Sequence, residues 1–321
     1  MKTVRSRDGL RISSSSKHRS FRAELKINGG LYLLAIPAIA YFVVFHYVPM
    51  PGAYVAFTQF NFIDGIFGSP FVGLENFRFF VESPALARTV RNTLLLNSLG
   101  ITVGIVLQVG FALLLNELRL LIYKRVSQSI MIFPAFVSWI VVSIILWQFL
   151  NFQDGIVNRL LLRLDLDAVN WYQNADAWLF IFVGAHAWKG TGMGTVIYLA
   201  AISSIDESLY DAAAIDGANR FQKIWFVTLP SLKPMIIMLT LLAIGRIFTT
   251  DVGAIFALIG DNSLLFKWLD TIDYYVLRNL RWNPNLSLTA AVGLIQSVIN
   301  LMFVLAANFV VRRVYKEGAL F

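Results

Sequence analysis

The sequence predicts an all-α polytopic membrane protein with six transmembrane helices and both termini on one side of the bilayer. Two observations on composition and one on pattern predict it. Charged residues are 14% of the 321-residue chain and hydrophobic ones 57%, where soluble globular proteins carry roughly 25% charged. Several windows near twenty residues long hold no charge or one. A helix of about 20 residues crosses the roughly 30 Å hydrocarbon layer.

The elements follow in order. Residues 1–28 form a basic N-terminal segment, Ser-rich over its first part, and Phe21 to Ile27 fits a short interfacial helix. The membrane domain covers 29–314, and a tail of 315–321 ends the chain. Spans are expected at about 30–48, 90–116, 128–150, 178–202, 233–259 and 287–311. The first run is longer than a signal-peptide core, and the Ala38–Ala40 triplet lies in its middle, so it reads as a retained anchor. It contains Pro37, tolerable in a membrane where neighbours re-satisfy a freed carbonyl. The second span carries Gly100 and Gly104, a spacing that lets helices approach closely or simply faces lipid.

Direction comes from the basic residues. Seventeen of the 27 Lys and Arg fall on the side of the termini, eight on the other, and Lys189 and Arg246 lie within spans. The positive-inside rule puts both termini in the cytoplasm. The net charge of +8 therefore reads as topology and contact with anionic membrane lipid, and no nucleic-acid footprint is expected. With no cysteine, disulfide and thiolate chemistry are excluded. His18, His46 and His186 are scattered, so no metal site is expected.

Between spans four and five lies a polar island, DAAAIDGANRFQKIWFVTLP, Asp211 to Pro230. Ser204 with Glu207 forms a capping-box pattern, so a helix is expected to start there. Gly217 is expected to stop it, since glycine accepts the left-handed conformation. Asn219 is placed to cap a second short helix that Leu229-Pro230 ends. From these residues alone, a loop resting on the membrane surface fits as well as a protein contact.

The spacing Asp-Ala-Ala, three residues, Gly, nine residues, Val, one residue, Leu-Pro resembles the EAA loop of permease subunits in binding-protein-dependent ABC importers. Asp211, Ala212, Ala213, Gly217, Val227, Leu229 and Pro230 fall on that motif. The AIDGAN segment, which includes Asp216, is similar to the carbohydrate-uptake form. Asp211 departs from the family's usual Glu. FVGLENF (Phe71–Phe77) and YVPMPGAYVAF (Tyr47–Phe57) also resemble that group, the latter its branch for complex oligosaccharides. The resemblance implies that 203–231 is a coupling loop gripped by a separate ATPase in a bacterial inner (cytoplasmic) membrane assembly. That assembly would hold a second, homologous permease subunit, two cytoplasmic ATPase subunits that bind ATP and Mg, and an extracytoplasmic solute-binding protein docking on segments 49–89 and 260–286.

The chain itself shows no catalytic site and no cofactor site. GAHAWKGT, Gly184–Thr191, has its Lys-Gly-Thr in the wrong order for a phosphate loop. Energy must come from partners, and this subunit is expected to shape a pathway.

Ionisable groups inside a membrane are costly, about 2.5–3.5 kcal/mol for a central Lys or Arg, so each needs a reason. Lys189, Arg246, Asp251 and His186 are such groups. Lys189 and Asp251 either pair to fix packing or help line a water-filled cavity. An oligosaccharide would use aromatic faces and amides, for which Trp188, Trp139, Asn97, Gln296 and Asn300 are candidates. Lys189 and Arg246 against Asp251 leave one net positive charge, which suits an acidic oligosaccharide such as an oligouronate. The rival expectation is a secondary carrier or channel driven by an ion gradient, but no pair of broken helices in corresponding halves is evident.

Overall fold

The computed structural model describes residues 21–282 and 284–314. The expectations for residues 1–20 and the tail 315–321 lie outside them. Among the described residues every regular element is helical, and a lone bridge between Thr58 and Phe71 is the only β contact. The coordinates fall into two units, one up to Ala53 and one from Tyr54 onward.

The first unit is one long helix, α1 (Phe21–Phe42), continued by a π-helical turn at Val43–Tyr47. Asn28 (φ −108°, ψ 15°) bends it where the polar lead-in meets the apolar run.

The second unit contains α2 (Glu75–Val81), α3 (Pro84–Asn116), α4 (Leu121–Ile132), α5 (Trp139–Leu150), α6 (Ile156–Arg163) and α7 (Ala175–Ser203). After these come α8 (Glu207–Ile215), α9 (Arg220–Lys223), α10 (Leu229–Ile244), α11 (Val252–Ile259), α12 (Phe266–Leu269), α13 (Ile272–Trp282) and α14 (Leu286–Val314). Among the described residues four stretches are long and apolar enough to cross a membrane: Asn28–Phe57, Pro84–Asn116, Arg220–Ile244 and Leu286–Arg313. Leu121–Phe136 with Trp139–Leu150 makes a fifth if that bent pair is one span.

Three expected spans look different in the structure. The stretch 128–150 is not one rod: its halves meet at 100°. Pro134 removes a backbone donor, a 3₁₀ turn follows at Phe133–Phe136, and Ser138 restarts the helix by accepting from the Val141 N–H. The stretch 233–259 is broken too. α10 ends at Ile244, residues 245–250 are irregular, and Asp251 caps α11 by accepting from the Ala254 N–H at 3.0 Å. The stretch 178–202 lies within the single helix α7, and with its Gly, Thr, His and Lys residues it is not among the stretches apolar enough to count as a span. It packs along α3 and is sheltered by protein, with Trp178, Phe182, Thr191, Thr195, Tyr198 and Ile202 buried.

The core has three clusters. One joins Phe248, Ile272, Leu288 and Val292 beside the second break. A second joins Leu96, Val142, Trp178, Phe182, Ile255, Leu258, Leu265 and Tyr274. The third joins Val109, Ala112, Leu115, Tyr198, Leu199, Ile202 and Leu232, at the end that carries α8. α3 and α7 run through the second and third. Between those two, at the level of the breaks, the helices are lined with small residues. A Cβ on Gly192 would lie 1.8 Å from the Met131 carbonyl oxygen, so α7 touches the end of α4 backbone to backbone there. Gly100 makes no such approach; nothing lies within 4 Å of its missing Cβ.

At the far end, the connecting segments are packed rather than loose. Asp270 is fully buried and pairs with Arg88 at 2.6 Å and Arg278 at 3.2 Å. The Asn92 side chain donates to the Asp270 carbonyl oxygen at 3.1 Å, and the Phe60 N–H donates to Ser287 Oγ at 2.8 Å.

Candidate functional site: an exposed coupling element and a polar waist

The polar island folds as a helix–glycine–helix element. α8 starts two residues later than the Ser204 pattern suggests. Ser204 closes α7, and Asp206 is the cap, accepting from the Ser208 N–H at 2.9 Å. That bond holds the Asp206 carboxyl below the ordinary carboxylate range. Gly217 (φ +77°) stops the helix, with the Ala218 N–H on the Ala213 carbonyl at 2.9 Å. Asn219 then opens α9 with a reciprocal box to Gln222.

The expected stop at Leu229-Pro230 is absent. A π-helical turn at Ile224–Thr228 absorbs the missing proline donor, and the rod runs on from Arg220 to Ile244. Val227 lies in that turn and Pro230 just beyond it, so the motif's second half is the root of a long helix. The Tyr210 hydroxyl meets Thr228 Oγ1 at 2.9 Å and ties α8 to this root.

No residue of α8 is buried. Asp211, Ala212 and Asp216 are exposed, Ala213 half-buried, and the apolar Ile215 is 87% exposed. Beside the helix lies a cleft of about 590 Å³ whose lining includes Arg119, Arg220 and Lys223 with Glu117 and Glu207.

The second site is a cavity of about 240 Å³ at the waist. Its polar lining is Asn97, Gln108, His186, Thr191, Thr250 and Asp251, with Gly100 and Gly104 making room on α3. Of the residues expected along a pathway, the structure puts Asn97, His186 and Asp251 on this cavity. Lys189, Arg246, Trp188, Trp139, Gln296 and Asn300 do not line it.

Lys189 and Asp251 do not pair. The Lys189 ammonium donates to the carbonyls of Ala135 at 2.8 Å, Pro134 at 3.3 Å and Val137, the acceptors freed by the bend. Asp251 instead accepts from Trp139 Nε1 at 2.7 Å, linking the two breaks. The amides serve the other break. Asn97 donates to the Ile247 carbonyl at 2.7 Å, Gln296 to the Phe248 carbonyl, and Asn300 accepts from the Phe248 N–H at 3.1 Å. Asp273, which the sequence reading did not single out, accepts from the Thr250 N–H at 2.6 Å. Irregular backbone at membrane depth must be satisfied by protein, and these side chains do it.

Arg246 is exposed within the break, Trp188 is 49% exposed, and the Trp139 ring packs on His186 with centroids 4.5 Å apart. The expected net positive field is therefore absent from the cavity wall: its one charged residue is Asp251. Gln108 was also missed. A lone glutamine in an apolar helix was the available signal, with three glycines, Gly190, Gly192 and Gly194, on the helix opposite.

Known proteins share this architecture. Residues 100–316 match the family described as binding-protein-dependent transport system inner membrane component. The chain is 35% identical to Protein LplB of Bacillus subtilis, over 99% of both sequences. It is 32% identical to the polygalacturonan/rhamnogalacturonan transport system permease protein YteP of the same organism, over 90% of this chain and 89% of that one. Among solved structures it is similar to a chain of a bacterial alginate ABC transporter in complex with an alginate pentasaccharide-bound periplasmic protein. The TM-score there is 0.83 at 30% identity, covering 93% of this chain and 99% of that one. An exposed, doubly capped helix rooted in a long apolar rod, together with likeness along nearly the whole sequence, leads to one assignment: the chain belongs to the inner membrane components of binding-protein-dependent transport systems.

Proposed function

We propose that this chain is one of two permease subunits in an ATP-driven importer of oligosaccharides containing uronate residues. In this reading the stretches 30–48, 84–116, 121–150, 175–203, 220–259 and 286–314 are six spans, with both termini and α8 in the cytoplasm. Two ATPase subunits hold ATP and Mg, grip α8, and drive alternating access; an extracytoplasmic binding protein delivers the cargo. The observation that carries it is α8 itself: a short helix with no buried residue that holds Ile215 in the open. An apolar side chain so exposed on a capped, rigid helix is what a protein partner's cleft would cover.

The cargo class rests on relatives. Two of them are named for alginate and for polygalacturonan/rhamnogalacturonan, all acidic polysaccharides. The waist cavity suits hydroxyl and ring contacts, so in this reading carboxylates are neutralised outside this chain's cavity wall.

Two measurements test the proposal. A cysteine at Ala213 or Ala214 should crosslink to the co-purified ATPase subunit; a fully assembled complex giving no adduct would refute the coupling role. Reconstituted importer should take up tetragalacturonate or alginate tetrasaccharide at the expense of ATP. ATPase stimulation by neutral arabinotetraose and by neither uronate would refute the acidic cargo.

A further inference from the structure

We infer that Gln108 is a specificity-determining contact for sugar hydroxyl groups in the waist cavity, and that Gly194 exists to seat it. The inference rests on the proposed importer function and goes beyond it by naming the reader.

The polar groups at the waist divide into those already engaged and those left over. Lys189 is held by the carbonyls of the first break, and Gln296 and Asn300 by the backbone of the second. Asn97 spends its amide N–H groups on Ile247 and Thr249 carbonyls. Asp251 uses one oxygen on Trp139 Nε1 and the other on the α11 cap. Thr191 donates back to the Ala187 carbonyl. Two side chains on the cavity are left over: His186, whose Nε2 is buried without a partner, and Gln108, whose carboxamide makes no hydrogen bond among the described residues.

The position of Gln108 is also built. A Cβ on Gly194 would lie 2.1 Å from Gln108 Cδ and 2.3 Å from Oε1, and a Cβ on Gly104 would lie 3.6 Å from Nε2. The amide thus lies against Gly194 of the facing helix, with Gly104 of its own helix in ordinary contact beside it. A half-buried carboxamide on an open cavity, with no protein partner, has its donor and acceptor groups free for a ligand hydroxyl or water. His186 packs at a tilt between Trp139 and Phe182, each with centroids 4.5 Å away, and of these His186 and Phe182 give the cavity an aromatic stretch of wall. An amide both donates and accepts, which matches a hydroxyl; no cation lines the cavity to favour a carboxylate there.

The test uses the full importer with its binding protein in proteoliposomes. The probe is whichever of tetragalacturonate, alginate tetrasaccharide and arabinotetraose the wild type imports. Gln108→Leu should cut import about tenfold, the factor that loss of one hydrogen bond gives, while the yield of assembled complex stays at the wild-type level. Gly194→Ala, which displaces the amide without deleting it, should cut import by a similar factor. If Gln108→Leu fails to assemble, the near-isosteric Gln108→Glu carries the test. It should slow import of a uronate probe at least as much as the Leu variant would, because it adds a like charge where the uronate ring passes, and import of a neutral probe by more than twofold, because it removes the amide's donor. Assembled Gln108→Leu, or Gln108→Glu in its place, importing every probe within twofold of wild type would overturn the inference and leave the importer reading intact. Wild type importing none of the probes would remove both.

Discussion

Lys189 shows how a charge can sit at membrane depth without meeting cargo. Its ammonium lies where α4 and its 3₁₀ turn run out of partners, and a cation at a helix C-terminus also suits the dipole. Lys189→Met should leave two or three carbonyls without a donor, at about 1–3 kcal/mol for such a group. The expected result is a lower melting temperature of the detergent-purified complex. Import per assembled complex should change equally for uronate and neutral oligosaccharides; a loss confined to uronates would mean that the ammonium reaches the cargo. The residue was legible in the sequence as an anomaly, as were Asn97, Gln296 and Asn300. Their partners were not, because those partners are backbone carbonyls and amides exposed by breaks that no side-chain pattern announces.

At the scale of elements, what was local was readable. Gly217 and Asn219 follow from turn and cap chemistry within four residues, and both act as expected. The start of α8 shifted to Asp206 because two caps compete in Ser204–Asp206, and α7 extends far enough to use Ser204 as its own end. The breaks at 133–138 and 245–251 needed more. Pro134 and Ser138, or Gly245 and Asp251, are stop-and-start pairs, but apolar runs on either side mask them. The Asp206 cap carries a pH prediction. Its carboxyl is depressed by the Ser208 bonds, so its stabilisation of the first turn is complete above the unfolded carboxyl's pKa and is lost as pH falls through the lower, folded one. Hydrogen exchange at Ser208, corrected for its intrinsic rate, should rise on acidification through that range. In Asp206→Asn the cap persists without a titrating group, and the rise should vanish. The same rise in the Asn variant would assign the titration to another group.

For the whole molecule, a bundle of long apolar helices was visible in composition. Six spans were expected where, among the described residues, four or five stretches are long and apolar enough. The division of the core into three clusters was not visible, since it depends on which distant helices meet. The cluster around Trp178 and Ile255 and the cluster around Tyr198 and Leu232 share only α3 and α7 as continuous members. Between them the 245–250 backbone hangs on side chains: Phe248 N–H on Asn300, Thr250 N–H on Asp273. Phe248 also packs with Ile272, Leu288 and Val292, so opening this segment disturbs that small cluster and leaves the other two packed. Asn300→Ala should therefore speed exchange of the Phe248 amide about five- to tenfold, the factor that loss of ~1 kcal/mol of hydrogen bonding gives. Exchange over 105–115 and 198–202 in the cluster around Tyr198 should not move. The measurement is hydrogen exchange by mass spectrometry on the importer in nanodiscs. A rise shared equally by both regions would make the bundle one cooperative unit. A rise confined to the break would make the waist the place where the two ends of the permease can move separately, at the level where Gln108 and Asp251 face the cavity.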